Sequence, residues 1–210
     1  MKKLILIGGG GHCKSCIEVI ESTGEFEIIG ILDLPSKKGE KVLDYEIIGS
    51  DEDISHYVQQ GVQNFFVTLG QIKSADLKKR IFNKIYQLGG ISPTIISKYA
   101  IVSFRSKIGE GTIVMHGAII NADVTIGENC IINNKANIEH DITIGNHVHV
   151  STGAIVNGNV SIGNEVLIGS NSVIRNVINI GDNIVIGAGS VINKDILEAG
   201  TYVGNPFKKI

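Results

Sequence analysis

The chain has 210 residues, of which 43% are hydrophobic and 19% are charged, so it can bury one large core or two small ones. A formal net charge of −2 gives no basic field of the kind that binds nucleic acid or anionic membranes. The opening residues, MKKLILI, form too short an apolar run to span a bilayer and lack the features of a signal peptide. We therefore expect a cytoplasmic protein with small-molecule or protein partners, and without nucleic-acid or membrane partners.

A strand, a glycine-rich turn and an amphipathic helix open the chain. Residues 3–9 are a predicted strand, residues 8–11 are all glycine, and residues 15–22 are a predicted helix. Glycines let a backbone approach a phosphate closely and a helix start offers free N–H groups, although a tight structural turn is the alternative. A second predicted strand, residues 27–32, ends in Asp33 at the sheet edge where open α/β folds bind ligands. A turn or cap before Pro35 is the alternative for that carboxylate.

The remaining elements of the first half complete a small α/β domain. A helix over residues 51–60, a strand over 64–69 that ends at Gly70, and a helix over 74–88 are predicted. Residues 1–92 are therefore expected to form a Rossmann-like domain, half the size of a dinucleotide-binding fold and suited to the nucleotide part of a substrate. Cys13 and Cys16 have the spacing of a redox motif, but two small apolar residues in a reducing compartment are the alternative.

A period of six residues fills the second half. From Ile96 to Ile192, seventeen consecutive sixth positions are Ile or Val, and glycine often follows them. Neither a helix nor a hairpin has this period, whereas a parallel β-helix places one hexad on each side of a triangular coil. We therefore predict a β-helix over residues 93–197. The aliphatic position is lost at Glu198, so residues 198–210 are expected to be a tail that leaves the prism.

His140 is the strongest candidate for chemistry in the repeats. It lies beside a turn between Glu139 and Asp141, and neighbouring carboxylates favour the protonated imidazole. Gly158 follows 18 residues later and should stack on it in the next coil, where the missing side chain leaves room. An ordinary exposed turn histidine is the alternative.

A zinc site is a second possibility, because four histidines lie within the repeats. They are His116, His140, His147 and His149. Three ligands must converge on one point at about 2 Å. His116 aligns, modulo 18, with Asn134 and not with another histidine, so no metal site is predicted.

Four features together resemble a known family over essentially the whole chain. They are the glycine-rich loop with His12, the Asp after the second strand, the hexapeptide prism and the segment Ile138-Glu139-His140-Asp141. The combination resembles the bacterial sugar O-acyltransferase family, which includes sialic acid O-acetyltransferases and N-acetyltransferases of UDP-4-amino-sugars. The resemblance implies a Rossmann-like domain followed by a left-handed β-helix, a homotrimer that holds acetyl-CoA between its prisms, and no metal.

The resemblance also implies roles for individual residues. His140 would be the catalytic base, with Asp141 at the acidic position that follows it. The implied acetyl-CoA site comprises Asn133, His149, Gly158, Ser170 and Ala188, and the implied nucleotide site comprises Gly10, Gly11, His12, Asp33 and Gly70. Leu34 departs from the N-acetyltransferases, where a second acidic residue can follow the first, so recognition of uridine stays open.

We therefore expect an acetyl-CoA-dependent acetyltransferase that acts on a nucleotide-linked amino-sugar in the biosynthesis of bacterial surface glycans. A sialic acid or related sugar O-acetyltransferase is the main alternative. A metal-dependent β-helix hydratase and a non-catalytic nucleotide-binding scaffold are the remaining ones. The nucleotide base, the sugar stereochemistry and the choice between nitrogen and oxygen as the acceptor atom stay open.

Overall fold

The computed structural model describes residues 1–71 and 74–210, which divide into two compact units. The first unit comprises Met1–Gln71 and Asp76–Ile95, and the second contains Ile96–Ile210. None of the helices in the described residues combines the length and the hydropathy that a membrane span requires.

The first unit is an α/β fold around a mostly parallel sheet, as predicted. Its elements are β1 Lys2–Ile7, α1 Gly11–Thr23, β2 Phe26–Leu32, β3 Lys41–Val42, β4 Tyr45–Gly49, α2 Ile54–Gln59, β5 Asn64–Val67 and α3 Asp76–Gln87, with 3-10 turns at Pro35–Lys37 and Asp51–Asp53. The sheet order is β3-β4-β2-β1-β5, and only the short β3 pairs antiparallel. Strands β3 and β4 were not predicted, because their short segments carry no sustained alternation of apolar and polar residues.

Helix α1 begins at Gly11, four residues earlier than predicted, and it explains the two cysteines. Cys13, Cys16, Ile17 and Ile20 follow the i, i+3, i+4, i+7 spacing of an apolar helix face, and all four are fully buried. Burial raises the pKa of Cys13 to about 11 and raises the pKa of Cys16 still further. Because the thiolate is the reactive form, these cysteines serve as core residues and not as a redox pair.

The second unit is a parallel β-helix with three flat faces, as predicted. Face 1 comprises β6 Ile95–Ile96, β9 Ile113–Val114, β12 Ile131–Ile132, β15 His149–Val150, β18 Leu167–Ile168, β21 Ile184–Ile186, β23 Gly200–Gly204 and β24 Phe207–Lys209. Face 2 comprises β7 Ile101–Val102, β10 Ile119–Ile120, β13 Asn137–Ile138, β16 Ile155–Val156, β19 Val173–Ile174 and β22 Val191–Ile192. Face 3 comprises β8 Lys107–Ile108, β11 Thr125–Ile126, β14 Thr143–Ile144, β17 Ser161–Ile162 and β20 Asn179–Ile180.

Stacking of equivalent hexads encloses the predicted aliphatic positions. Partners on one face lie 18 residues apart, as in the pairing of Ile120 with Ile138. Every sixth position from Val114 to Ile192 is at most 3% exposed. The first coil differs, because Ile96 is 39% exposed and Val102 is only partly buried. A coil buries its aliphatic residues fully only between two neighbours, which the terminal coil lacks.

One residue of each hexad turns the chain in the left-handed backbone region. Such residues recur every six positions from Gly111 to Gly189, fourteen in succession. Most are Gly, Asn or Asp, which tolerate a positive φ because they lack bulk at Cβ or bond to their own backbone. Val177 is the β-branched exception, with φ +60°.

The end of the β-helix differs from the predicted one. Ile196, two residues before Glu198, bridges to Ile180 and is 3% exposed, so a two-residue deletion in the repeat keeps the core filled. Strand β23 then pairs parallel with β21, and β24 folds back on it antiparallel. The C-terminal segment therefore extends face 1, whereas the prediction had it leave the prism.

Candidate active site

Two edges of the prism carry the predicted residues of the second unit. The His140 edge is the row of turns between faces 2 and 3, at residues 103–106, 121–124, 139–142, 157–160 and 175–178. The Asn133 edge is the row between faces 1 and 2, at residues 97–100, 115–118, 133–136, 151–154, 169–172 and 187–190. The strands of face 2 separate the two edges along the whole prism.

His140 and Asp141 form a hydrogen-bonded pair on the His140 edge. The imidazole Nδ1 lies 2.7 Å from Asp141 Oδ2, and the His140 side chain is 62% exposed. A carboxylate at Nδ1 holds the proton on that nitrogen, which leaves Nε2 as the basic atom of the neutral ring. The two residues thus have the arrangement of an oriented general base.

Gly158 lies against the imidazole, as the 18-residue spacing predicted. A Cβ atom at this position would be 2.7 Å from His140 Cε1 and 2.9 Å from Nε2, closer than non-bonded atoms approach. Gly158 is itself buried, and its backbone has no positive φ that would require glycine. The glycine therefore makes space for the ring.

Glu139 is held by two hydrogen bonds that the sequence analysis did not anticipate. Asn121 Nδ2 donates to one carboxylate oxygen at 3.1 Å, and Asn137 Nδ2 donates to the other at 3.1 Å. The carboxylate borders a groove of about 430 Å³ that is also lined by His140, Gly158 and residues 157, 159, 176 and 177. The hydrogen bond between Asn121 and Glu139 could have been predicted from the sequence, because the two residues are 18 positions apart and therefore stack in successive coils.

The predicted acetyl-CoA residues other than Gly158 lie at or beside the Asn133 edge. Asn133 Nδ2 donates to His149 Nε2 at 3.1 Å, and Ser151 Oγ lies 3.4 Å from the same nitrogen. Ser170 and Ala188 follow on this edge, where Gly189 N donates to the carbonyl oxygen of Ser170 at 2.9 Å. His149 belongs to strand β15 and is only 7% exposed, so its imidazole is held in place beside the Asn133 edge.

The structure therefore does not bring all the predicted residues together within one chain. His140, Asp141 and Gly158 lie on one edge of face 2, and Asn133, Ser170 and Ala188 lie on the other. The separation of the two groups could have been predicted from the sequence, because Asn133 and His140 fall at different positions within the 18-residue coil.

The other histidines of the repeats have separate environments. His116 Nδ1 lies 2.6 Å from Ser97 Oγ, and Asn129 Nδ2 donates to His147 Nδ1 at 3.0 Å. His147 is 9% exposed and Asn129 is fully buried, so the pair belongs to the packed interior of its turn. Among residues 1–71 and 74–210, no three His, Cys, Asp or Glu side chains are grouped as metal ligands.

In the first unit, the glycine-rich turn opens α1 as predicted. Gly8 has φ +107°, and a Cβ there would lie 2.5 Å from Leu69 Cδ2, so the turn requires glycine at this position. Gly10 is the N-cap of α1 without a side-chain cap, and a Cβ at Gly10 or Gly11 would meet no atom within 4 Å. Gly70 lies beside His12, because a Cβ atom added at Gly70 would be 3.7 Å from the Cβ atom of His12.

Asp33 is tied to this turn. Its carboxylate accepts hydrogen bonds from Gly9 N at 2.7 Å, Leu34 N at 2.6 Å and Lys37 Nζ at 3.0 Å. Partial burial acts to raise the pKa of the Asp33 carboxyl, but these donors outweigh it and hold the pKa below its ordinary value. The side chain is therefore an ionised acceptor at neutral pH.

A cavity of about 120 Å³ lies beside Asp33. Its lining combines apolar side chains with three charged ones, and comprises Ile7, Gly8, Leu32, Asp33, Leu34, Asp51, Leu69, Leu77, Arg80 and Ile81. Of the predicted nucleotide residues only Asp33 lines it, whereas Gly10, Gly11, His12 and Gly70 do not. Asp51 and Arg80 were missed because helical residues far apart in sequence give no local signal of a shared cavity.

Three family models match the sequence. The PglD N-terminal domain matches residues 3–85. The bacterial transferase hexapeptide of six repeats matches residues 105–140, and the hexapeptide repeat of succinyl-transferase matches residues 159–194. No curated protein matches the sequence.

Solved structures match over the whole chain. PerB from Caulobacter crescentus, in complex with CoA and GDP-perosamine, is 31% identical, with a TM-score of 0.93, 100% of this chain covered and 98% of that one. The acetyltransferase domain of PglB from Neisseria gonorrhoeae FA1090, in complex with acetyl coenzyme A, is 30% identical, with a TM-score of 0.90 and coverage of 100% and 99%. WeeI from Acinetobacter baumannii AYE, 18% identical with a TM-score of 0.85 and complete coverage of both chains, shares the fold.

Proposed function

The chain belongs to the PglD-like family of sugar acetyltransferases, and we propose that it transfers an acetyl group from acetyl-CoA to the amino group of a nucleotide-linked amino-sugar. The observation that carries this proposal is the pair of His140 Nδ1 and Asp141 Oδ2, 2.7 Å apart, in which the His140 side chain is 62% exposed and lines a groove with Gly158. The GDP-perosamine and CoA bound by a structure 31% identical to this chain support the choice of substrates.

The geometry fits a direct transfer without a covalent enzyme intermediate. The neutral amine of the sugar attacks the thioester carbonyl, and a C–N bond forms as the carbonyl becomes a tetrahedral oxyanion. His140 Nε2 accepts the proton that the new ammonium group loses, and Asp141 stabilises the resulting imidazolium. The C–S bond then breaks, the thiolate takes up a proton to leave as CoA, and the amide remains on the sugar.

The direct test is a screen of purified protein with acetyl-CoA against UDP- and GDP-linked amino-sugars and free sialic acids, with CoA release as the signal. We expect turnover with a nucleotide-linked amino-sugar and none with its N-acetylated form. Turnover with sialic acids alone would replace the proposal by O-acetylation. An absence of turnover with every acceptor would contradict acetyl transfer.

We further propose that the glycine-rich turn, Gly10, Gly11 and His12, with Asp33 and Gly70, binds the nucleotide part of the acceptor. Asp33→Asn should then raise the KM for the acceptor about tenfold or more, because an ionised acceptor beside the cavity is lost, while the KM for acetyl-CoA stays unchanged. Steady-state kinetics with each substrate varied in turn measure both constants. Asp44→Asn, in the turn between β3 and β4, is the control. An unchanged acceptor KM in Asp33→Asn would contradict this assignment.

A homotrimer would unite the two edges of the prism, and we propose that assembly. The outward positions of face 2 are mostly apolar, namely Ile101, Ile119, Asn137, Ile155, Val173 and Val191. Those of face 3 are exposed and polar, namely Lys107, Thr125, Thr143, Ser161 and Asn179. If face 2 points toward a threefold axis, the His140 edge of each chain meets the Asn133 edge of the next, because the two edges flank that face.

Mixed trimers test this arrangement. His140→Ala and Ser170→Trp should each be nearly inactive alone, the first through loss of the base and the second through obstruction of the opposite edge. Co-expressed in equal amounts, they should recover activity at about a quarter of the sites, where a normal His140 edge meets a normal Asn133 edge. Sedimentation should give a trimer in every case. A monomer, or a mixture without recovered activity, would contradict a site shared between chains.

We also propose that the reaction takes place in the cytoplasm, where acetyl-CoA is available. The three cysteines, Cys13, Cys16 and Cys130, all lie within the described residues, are buried and form no disulfide, as expected of a reducing compartment.

A further inference from the structure

The basic side chains of the Asn133 edge all lie in its first three turns. They are Lys98, His116 and Lys135, one in each turn. None of the six turns of this edge contains Asp or Glu, and neither do the strands of faces 1 and 2 that flank it. The His140 edge differs, because three carboxylates lie on it. The N-terminal part of the Asn133 edge is therefore a surface of positive charge without nearby negative charge.

His116 is held with one ring nitrogen left for a ligand. Its Nδ1 lies 2.6 Å from the Oγ of Ser97, which is 2% exposed. That Oγ accepts a hydrogen bond from Tyr99 N at 3.0 Å, so its own proton is free to be donated to Nδ1. The neutral imidazole then carries its proton on Nε2. His116 is half-buried, and its Nε2–H is a donor in a fixed position.

Both lysines are held near this imidazole. Lys98 Nζ lies 5.0 Å from the centre of the Tyr99 ring, which packs edge to face against His116 with 5.4 Å between ring centres. A Cβ added at Gly117, next to His116, would lie 3.5 Å from Lys135 Cγ, so the stem of Lys135 lies against the preceding coil. Both lysines are exposed, and neither forms an ion pair within the part of the chain that the structure describes.

The chemistry of this cluster suits phosphate groups. Ammonium groups and an imidazole N–H donate charge-assisted hydrogen bonds to phosphate oxygens. Successive coils lie roughly 4.8 Å apart, so three donors in three coils extend over roughly 10 Å, which is long enough for two adjacent phosphates. Since no carboxylate of the edge competes for the donors, the expected ligand is a diphosphate.

The cluster is placed to serve the acceptor and not the acetyl donor. Lys135 and His140 belong to the same coil, separated by the face 2 strand Asn137–Ile138. If the prisms of the proposed trimer stand parallel, Lys135 of one chain lies at the height of a neighbouring chain's candidate base. From that height the cluster extends toward the N-terminal coils. Ser170 and Ala188, which were assigned to acetyl-CoA, lie in the opposite direction along the edge.

We propose that Lys98, His116 and Lys135 form a phosphate-binding site for the diphosphate of the acceptor, at the end attached to the sugar. The inference rests on the proposed transfer to a nucleotide-linked amino-sugar, and it adds a site on the prism to the nucleotide site of the first unit. Ser97 and Tyr99 position His116. The site gives the chain a means to select a nucleotide-linked sugar over a free one.

The double variant Lys98→Gln/Lys135→Gln tests the site. Its KM for the acceptor should rise about tenfold or more, because two charge-assisted contacts are lost, while the KM for acetyl-CoA stays unchanged. Inorganic pyrophosphate should inhibit the wild type competitively against the acceptor, and the variant about tenfold more weakly. Lys107→Gln is the matched control, because Lys107 is an exposed cation of the first coil on face 3. An unchanged acceptor KM, or a rise confined to acetyl-CoA, would overturn the proposal.

His116→Phe tests the imidazole. Phenylalanine keeps a ring beside Tyr99 but has no N–H donor. The KM for the acceptor should rise severalfold and inhibition by pyrophosphate should weaken by the same factor, which a change in packing alone would not produce. Thermal unfolding is measured alongside, because Ser97 loses a hydrogen-bond partner. Undiminished inhibition by pyrophosphate would contradict the role of His116.

Calorimetry with nucleotides separates this site from the proposed function. Lys98→Gln/Lys135→Gln should bind GDP and UDP about tenfold more weakly than the wild type, whereas binding of guanosine and uridine, which have no phosphate, should not differ. That loss would support the site even if no amino-sugar were acetylated. Equal binding of the diphosphates by both proteins would overturn the site even if acetyl transfer were confirmed.

Discussion

Replacement of His140 by alanine is expected to lower kcat by roughly a hundredfold to ten-thousandfold, the usual effect of removing a general base. The residue is exposed in a turn, so its loss should change stability by no more than about 0.5 kcal/mol. His149→Ala should have a smaller effect, expressed mainly in the KM for acetyl-CoA, because His149 lies beside the opposite edge with Asn133. Steady-state kinetics at saturating substrates, together with thermal unfolding, measure these effects.

Asp141→Asn separates the orientation of the base from its presence. An amide at residue 141 can no longer hold the Nδ1 proton with a charge, so kcat should fall, but less than in His140→Ala. Asp123→Asn is the matched control, because Asp123 occupies the equivalent turn one coil earlier with φ +59°. His147 is unsuited as a control, since it is buried and bonded to Asn129. Near-normal turnover in His140→Ala would contradict its assignment as the base.

The β-helix could be predicted in detail because its period is visible in the sequence. An aliphatic residue at every sixth position can be enclosed only if three hexads complete a coil, and the same count placed Gly158 against His140. The prediction was wrong at the C-terminal end of the β-helix, where the spacing between stacked residues falls from 18 to 16. Two residues are missing before Ile196, so the apparent loss of the repeat at Glu198 is a shift in register.

The α/β unit and its cavity were less predictable. The order of strand, turn and helix could be inferred from glycines and apolar runs, but β4 pairs with β2 through contacts that no local pattern encodes. Arg80 and Asp51 reach the cavity of Asp33 from separate elements.

Gly158→Ala is expected to lower kcat by about tenfold to a hundredfold, although the substitution adds a single methyl group. A Cβ at this position would lie 2.7 Å from His140 Cε1, so the imidazole must move by a distance that is large on the scale of a reacting proton. The backbone at residue 158 does not require glycine, so the protein should fold and assemble normally. Kinetic constants and thermal unfolding of the variant measure the two effects separately.

The same substitution in a second background shows whether Gly158 acts through His140. If the glycine only makes space for the imidazole, Gly158→Ala should change kcat little in a protein that already carries His140→Ala, because the two residues act as a unit. If Gly158 instead contacts acetyl-CoA alone, the methyl group should raise the KM for acetyl-CoA in both backgrounds and leave kcat unchanged. Ala122→Ser, one coil before His140 on the same edge, is the control for added bulk on the other side of the ring. Additive losses of kcat in the double variant would show that Gly158 does not position the base.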